Sequence, residues 1–231
     1  MNTAAVTAAP RASATSADRH RPARGLRDAA RQGAVLRVGG VLAGSLVLGG
    51  LTSWAQGFLP AQAAPFANSA SGWAVLTVLL VVWSRTAGWR AAALGAGSFV
   101  LLVLGYTVAS ELRGLAYSPV LWGTVGLVTG PVIGLAASWL HGTGAAGRTR
   151  AAVGTAVVAG VGVGDGVSGL LRVADTTGLT YWVVVAAAGV ALLVVMAARR
   201  LRERTAVLTA VLGTLAVPAA FVVGVPLVLG G

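Results

Sequence analysis

From Val35 to its C-terminus the chain is a succession of apolar stretches, separated by short segments that carry arginine or glycine. A helix of about 20 apolar residues crosses the hydrocarbon layer of a bilayer, which is about 30 Å thick. Only 10% of the residues are charged, whereas charged residues make up about 25% of a typical soluble domain. A soluble fold of 231 residues could not bury so much apolar surface. The sequence therefore predicts an all-α, polytopic transmembrane helix bundle.

Seven predicted helices fit this pattern and together form one domain over residues 35–231. They cover Val35–Trp54, Ser69–Ser84, Ala91–Ser110, Pro119–Leu140, Ala151–Leu171, Thr180–Ala198 and Thr205–Leu229. Residues 1–34 are different, because they hold six arginines among Ala, Ser, Thr and Pro and show no apolar periodicity. Such a segment cannot bury a core, so residues 1–34 are predicted to be a disordered basic cytoplasmic tail.

The placement of arginine predicts the orientation of the bundle. All 17 basic residues are Arg, and 15 of them fall in the tail, at its edge (Arg37), or in the connections that follow the second, fourth and sixth predicted helices. Only Arg113 and Arg172 fall on the opposite side. Because cytoplasmic loops retain positive charge, the sequence predicts a plasma-membrane protein with its N-terminus in the cytoplasm and its C-terminus outside. The absence of lysine is typical of a GC-rich genome and favours an actinobacterial origin.

One alternative concerns the first helix. It is followed by Ala61-Gln62-Ala63-Ala64, a spacing of small residues that is typical of a signal peptidase site. Cleavage after Ala63 would remove this helix. The long N-terminal region and the distance between the most apolar run and Ala63 favour retention. The remaining six helices would keep the same orientation in either case.

Aromatic residues lie near the predicted helix ends, where anchoring at the membrane interface is their usual role. The outer group consists of Trp54, Trp73, Tyr117, Trp122, Tyr181 and Trp182, and the inner group of Trp83, Trp89 and Trp139. We interpret both groups as interfacial belts and not as a binding site.

Glycines recur at four-residue spacing in the fourth and fifth predicted helices, a pattern that lets another helix approach closely. The residues are Gly126, Gly130 and Gly134 in the fourth helix, and Gly160, Gly162, Gly164 and Gly166 in the fifth. Pro131 removes one backbone hydrogen bond and is predicted to kink the fourth helix. Both helices are therefore predicted to pack tightly, against each other or against neighbours.

The sequence offers little for catalysis or for metal binding. It contains no Cys, and its two histidines are His20 in the tail and His141 at the inner end of the fourth helix. Residues 166–169 match the Gly-x-Ser-Gly of rhomboid intramembrane proteases. Ser168, however, lies about 25 Å along the fifth helix from its inner end, out of reach of His141 as a base. We therefore predict no catalytic residue, no metal site, no cofactor and no enzymatic activity.

Asp165 is the acidic residue that the prediction places deepest inside a helix, where a carboxylate costs several kcal/mol unless it is paired, protonated or hydrated. Arg172 lies seven residues further along the same face, and Glu111 and Arg113 lie at the outer end of the third helix. These four residues form the candidate polar site. Two interpretations remain open, namely an ion pair that joins the third and fifth helices, and an ion or proton site.

Several short motifs resemble a family of small actinobacterial multi-pass membrane proteins of unknown function. They are Phe66-Ala-Asn-Ser69, Gly72-Trp73, Gly105-Tyr106, Ser118-Pro119, Gly130-Pro131-Val-Ile-Gly134-Leu-Ala and Asp165-Gly166. The last stands where the resemblance leads us to expect an acidic residue followed by Gly. The resemblance covers Val35 to Leu171 and implies a membrane topology, but it implies no mechanism.

Two functions follow from these features. The first is a non-catalytic membrane subunit or scaffold, whose glycine-rich helices bind a membrane-protein partner or a second copy of the chain. The alternative is a small-solute or ion transporter that uses Asp165. The lipid bilayer is the expected partner in both cases. No nucleic-acid partner is expected, because topology already explains where the arginines lie.

Overall fold

A computed structural model describes residues 21–229, with side chains for residues 29–220. The chain divides into two units, residues 1–36 and residues 37–231. Of the first unit, the described part is helical from Arg21 onward. All contacts discussed below lie within the second unit.

The described residues form helices and contain no strand, which confirms the all-α fold class. The α-helices are α1 (Arg21–Ala55), α2 (Ala70–Ser84), α3 (Trp89–Leu112), α4 (Val120–Trp139), α5 (Gly144–Arg172), α6 (Ala174–Thr177), α7 (Thr180–Arg199) and α8 (Arg204–Leu229). A 3₁₀ turn, Ala64–Asn68, precedes α2. The seven long helices correspond one for one to the seven predicted helices, and α6 is an additional single turn.

Five of these helices are long and apolar enough to cross a membrane. They are α1 over Ala29–Ala55, together with α3, α4, α5 and α7. The other two long helices are apolar but shorter over their described side chains: α2 has 15 residues, and α8 is described over Arg204–Ala220. A helix of 15 residues is shorter than the roughly 20 that a full span needs. Helix α2 therefore differs from the other predicted spans in being too short to cross the hydrocarbon layer by itself.

Two helices begin earlier than the sequence predicted. Helix α1 starts at Arg21, so it includes residues 21–34, while residues 1–20 lie outside the described residues. The basic cytoplasmic tail over residues 1–34 stays a prediction. Ala and Arg favour helix, and Pro22 occupies the first turn, where proline is tolerated. Helix α5 starts at Gly144 instead of Ala151. Its added turns carry Arg148, which forms an ion pair with Glu203 at 2.5 Å.

A cluster of buried aromatic residues lies at the centre of α2, α3 and α4. Trp73 is 1% exposed, and its ring makes edge contacts with Phe99, Tyr106 and Trp122 at centroid distances of 6.0, 5.7 and 5.7 Å. Trp182 is also buried, at 5% exposure. The interpretation of these two tryptophans as interfacial anchors was therefore wrong. Aromatic rings that meet edge to face stabilise a core beyond the area they bury.

The contacts between helices agree with an antiparallel arrangement. Ends predicted to be cytoplasmic (inner) contact one another, and so do ends predicted to be external (outer). At the predicted inner end, Arg37 Nε donates to the carbonyl oxygen of Ser84 at 3.2 Å. At the predicted outer end, Tyr106 donates to Gln56 at 2.8 Å. The arginine-rich connections therefore share one end of the bundle.

The glycines of α4 face α3. A Cβ at Gly126 would collide with the ring of Phe99, and one at Gly130 would collide with the backbone of Gly95 and Ala96. Gly134 packs in the same way on Ala91. Helix α4 continues through Pro131, and the predicted kink at that residue stays a prediction.

The glycines of α5 face two other helices. Gly160 packs on Val217 of α8, whereas Gly162 and Gly166 pack on Gly189 and Ala186 of α7. The remaining predicted residue, Gly164, is buried in the same helix. Helix α5 also contacts α2 and α4, so it is the helix around which the second half of the bundle is built.

Candidate functional site

Helix α2 begins inside the bundle, beside Asp165. The chain between α1 and α2, residues 56–69, consists of turns and the 3₁₀ turn. Asp165 lies seven residues before the end of α5 at Arg172, which is roughly 10 Å along the helix axis. Backbone that is not helical is tolerated at membrane depth where it is buried in protein or lines a cavity. The start of α2 is therefore the place in the fold where a cavity is expected.

The carboxylate of Asp165 is bound by the first turn of α2. Its Oδ2 accepts one hydrogen bond from the backbone N–H of Ser71 at 2.9 Å and one from Ser71 Oγ at 2.5 Å. The first N–H groups of a helix have no partner within the helix, and the helix dipole is positive at this end. Both effects stabilise a negative charge at Asp165, which is 9% exposed.

Hydroxyl groups extend this contact to a third helix. Ser69 is the N-cap of α2, and its Oγ accepts the N–H of Gly72 at 3.0 Å. Serine is favoured at this position for that reason. The hydroxyl of Tyr181, at the start of α7, lies 2.6 Å from Ser69 Oγ and 2.8 Å from Ser71 Oγ. A polar cluster of Ser69, Ser71, Asp165 and Tyr181 thus joins α2, α5 and α7.

The other predicted site residues, Arg113, Glu111 and Arg172, occupy three different environments. Arg113 donates to the carbonyl oxygen of Ser53 and lies over the ring of Trp54, 5.4 Å from its centroid. It therefore holds α3 to α1 and forms no ion pair with Asp165. Glu111 is exposed at the end of α3. Arg172 lines the same cavity as Asp165. Asp165 therefore meets Ser71 of α2, and Arg113 meets Ser53 of α1, in place of the expected ion pair between Arg113 and Asp165.

A cavity of about 1130 Å³ opens in front of Asp165. On α5, Val157 and Val161 line it inward of Asp165, and Ser168 and Arg172 line it on the outer side. Further polar residues at the outer side are Gln56, Gln62, Asn68, Ser69, Thr176 and Thr177. Further apolar residues are Phe99, Val125, Val128, Val132, Ile133 and Val217. Most polar residues of the cavity therefore lie at the outer side of Asp165, and valines line it on the inner side.

Three motifs of the family resemblance, namely Phe66–Ser69, Gly72-Trp73 and Asp165-Gly166, come together at this site. Trp73 Nε1 donates to the carbonyl oxygen of Ala67 at 3.2 Å, which ties the 3₁₀ turn to α2, and Asp165-Gly166 binds the start of the same helix. A family model described as a family of unknown function, DUF6518, matches residues 28–230. The chain belongs to this family. The match extends beyond the segment that carried the resemblance, and the actinobacterial origin stays a prediction. No curated protein and no solved structure matches the chain.

Three residues of this site, Ser69, Ser71 and Tyr181, were missed by the sequence analysis as site residues. Tyr181 was assigned to an interfacial belt. The available signal was a serine at a helix N-cap, Ser69, directly before an apolar run. Nothing in the local spacing shows that an acid 94 residues away binds the same turn.

The groups of this site can bind a polar or charged ligand. Asp165 supplies negative charge, and the serine and tyrosine hydroxyls supply donors and acceptors in fixed positions. Within residues 29–220, no three His, Cys, Asp or Glu side chains come together as metal ligands. Ser168 is buried on α5, and His141 is exposed just beyond the end of α4. A cation, or a polar group that donates a hydrogen bond, is the natural ligand of the carboxylate.

Proposed function

We propose that this protein is a multi-pass plasma-membrane protein without enzymatic activity that binds a small solute or ion beside Asp165, as a permease does. The observation that carries the proposal is the position of Asp165. Its carboxylate lies within a helix of membrane-spanning length, faces a cavity and is bound by a helix N-terminus. Ionisable groups at membrane depth are costly, and they mark ion or substrate paths.

The short helix α2 supports the same proposal. Secondary transporters bind substrates where a helix is interrupted, because the N-terminus of a half-helix offers free N–H groups to a ligand. Residues 56–69 connect α1 to α2, which begins inside the bundle, and Gln62, Asn68 and Ser69 of that segment line the cavity. A solute in the cavity would therefore contact both side chains and the start of α2.

The runner-up is a non-catalytic subunit or scaffold. That function needs glycine faces that remain open to a partner helix or to a second copy of the chain. Gly126 and Gly134 are covered by α3, Gly160 by α8 and Gly166 by α7, so these faces are used within the chain. We therefore place solute binding first. A stoichiometric partner found by pull-down in mild detergent would reverse this order.

The proposal includes the orientation with the N-terminus in the cytoplasm. Its support is that the arginine-rich connections lie at one end of the bundle, and that the cavity with Asp165 opens near the other end. Because cytoplasmic loops retain arginine, the cavity then faces the outside.

Flux measurements in proteoliposomes test the proposed function. We expect full-length protein to dissipate an imposed proton or Na⁺ gradient faster than protein-free vesicles do. Asp165→Asn should abolish the difference. Asp175→Asn is the matched control, because Asp175 is an exposed acid of α6, and this variant should keep the flux. Equal rates for wild type and Asp165→Asn would contradict the role of Asp165.

A further inference from the structure

The size and lining of the cavity indicate an occupant with an apolar body. Sites for drug-sized ligands measure about 300–1,000 Å³ and are mostly apolar, with a few placed polar groups. This cavity is slightly larger than that range, at about 1130 Å³, and its inner part is lined by Val157, Val161 and Ile133. A hydrated ion would gain nothing from these valines, whereas an apolar chain would keep an apolar environment along them.

The cavity also opens sideways along α4. Val128 and Val132 line the cavity and are 68% and 51% exposed. Both residues lie in the middle of a helix that is long and apolar enough to span a membrane. In a bilayer this opening faces hydrocarbon, so a molecule with an apolar chain can enter from the membrane.

The charge of Asp165 determines which head group such a molecule should carry. The hydrogen bonds described for the Asp165 carboxylate both go to Oδ2 and come from Ser71, so dipoles surround this charge. Arg172 lines the cavity two turns further out, roughly 10 Å away along the helix axis. A cation that reaches Asp165 in this low-dielectric setting would interact with it far more strongly than in water.

We propose that the cavity binds a single-chain amphiphile with a cationic amine head. The amine contacts Asp165, and the apolar chain extends inward along Val157 and Val161. This inference rests on the proposed binding function and adds the class of ligand. An anionic lipid head held at Arg172 is the competing occupant, and it predicts the opposite preference for head-group charge.

Three probes that share one chain and differ in the head group test this proposal, namely decylamine, decanol and decanoate. The full-length protein is placed in phosphatidylcholine nanodiscs at pH 7, and its thermal midpoint is measured with each probe at one concentration. Ligand binding to the folded state raises this midpoint. We expect decylamine to raise it most and decanoate least. Asp165→Asn should remove the advantage of the amine over the alcohol, and Asp175→Asn should keep it.

Each probe partitions equally into the bilayer for every variant, so a difference between variants at one probe concentration reports binding to the protein. Equal shifts with decylamine and decanol in the wild type would overturn the inference. A preference for decanoate that disappears in Arg172→Gln would also overturn it, in favour of an anionic head. If Asp165→Asn fails to fold, the ranking of the three probes on the wild type by native mass spectrometry decides the question.

The two proposals fail in different ways. An amine preference without ion or proton flux would support this ligand class and overturn transport. Flux that depends on Asp165, without any amine preference, would support the proposed function and overturn this ligand class.

Discussion

Ser71 donates two hydrogen bonds to Oδ2 of Asp165, at 2.9 Å from its backbone nitrogen and 2.5 Å from its hydroxyl. The two residues are 94 positions apart in the chain, so these bonds fix the start of α2 against the middle of α5. These two hydrogen bonds hold the cavity wall in one geometry. Substituting either residue measures how much the bonds contribute to the free energy of unfolding.

Ser71→Ala should lower the free energy of unfolding by about 1.5–3 kcal/mol, because it removes a hydrogen bond to a charged group. Unfolding in mild detergent, followed by circular dichroism, measures the loss. Ser138→Ala is the matched control, since the hydroxyl of Ser138 bonds only within its own helix, to Leu135 at 2.8 Å. A loss at Ser71 no larger than the loss at Ser138 would contradict the proposed contribution of this bond.

A double-mutant cycle separates Ser71 from Arg113 as the partner of Asp165. Residues in contact show interaction energies of about 0.5–3 kcal/mol, whereas distant residues are additive within about 0.5 kcal/mol. We therefore expect coupling between Ser71→Ala and Asp165→Asn, and additivity between Arg113→Gln and Asp165→Asn. Coupling in the second pair would restore the ion pair that the sequence suggested.

The packing of α4 on α3 predicts a contrast between two glycines of one helix. A Cβ at Gly134 would meet the backbone of Ala91 and Gly95 at 3.0 Å or less, whereas one at Gly123 meets nothing within 4 Å. Gly134→Ala should therefore push the helices apart and lower the thermal midpoint sharply. Gly123→Ala should raise stability by about 0.5–1 kcal/mol through helix propensity. Equal effects of the two substitutions would argue against this close approach.

Tyr117 lies in the loop between α3 and α4, next to the ring of Tyr106 at a centroid distance of 4.7 Å. Its hydroxyl is buried and has no hydrogen-bond partner within the described part of the chain. Burial, and secondarily the neighbouring Tyr106, raise the pKa of the Tyr117 phenol above its ordinary value. An unpaired buried hydroxyl is unfavourable, so Tyr117→Phe should stabilise the fold by about 1 kcal/mol.

The same tyrosine gives a dependence on pH. The pKa of Tyr117 is higher in the folded state than in the unfolded chain, where it is ~10. Above pH ~10 the unfolded chain therefore loses this proton while the folded protein keeps it, so the free energy of unfolding falls as the pH rises toward the folded-state pKa. Wild type should thus lose more stability above pH ~10 than Tyr117→Phe does. Tyr106→Phe is the contrasting variant, because it removes a hydrogen bond to Gln56 of 2.8 Å and should destabilise the fold.

The helices could be predicted from the sequence because each depends on a local property. Apolar length located seven long helices, and both ends of α2, α3, α4, α7 and α8 lie within two residues of the expected positions. The misplaced start of α5 has a physical reason. Arg148 and Arg150 lie beyond the apolar segment, yet they remain in the helix. Hydrophobicity therefore locates the membrane-spanning segment, whereas the helix itself extends beyond that segment.

The partner of Asp165 could not be predicted from the sequence. Choosing between Ser71 and an arginine requires knowing which helix lies against α5, and spacing along the chain does not contain that information. The glycine pattern had the same limit, because it predicted close packing without naming the facing helix. Both questions are settled by contacts between residues far apart in sequence.

Because the chain contains no cysteine, single cysteines can report the orientation of the bundle without a background signal. Ala87 lies in an exposed connection and Ala145 in the exposed first turn of α5, both at the arginine-rich end, and Ala116 lies in an exposed loop at the other end. If the N-terminus is cytoplasmic, a membrane-impermeant maleimide added to intact cells should label Ala116→Cys and leave Ala87→Cys and Ala145→Cys unlabelled. All three should react after the cells are lysed, which controls for exposure. Labelling of Ala87→Cys in intact cells would invert the proposed topology and turn the cavity with Asp165 toward the cytoplasm.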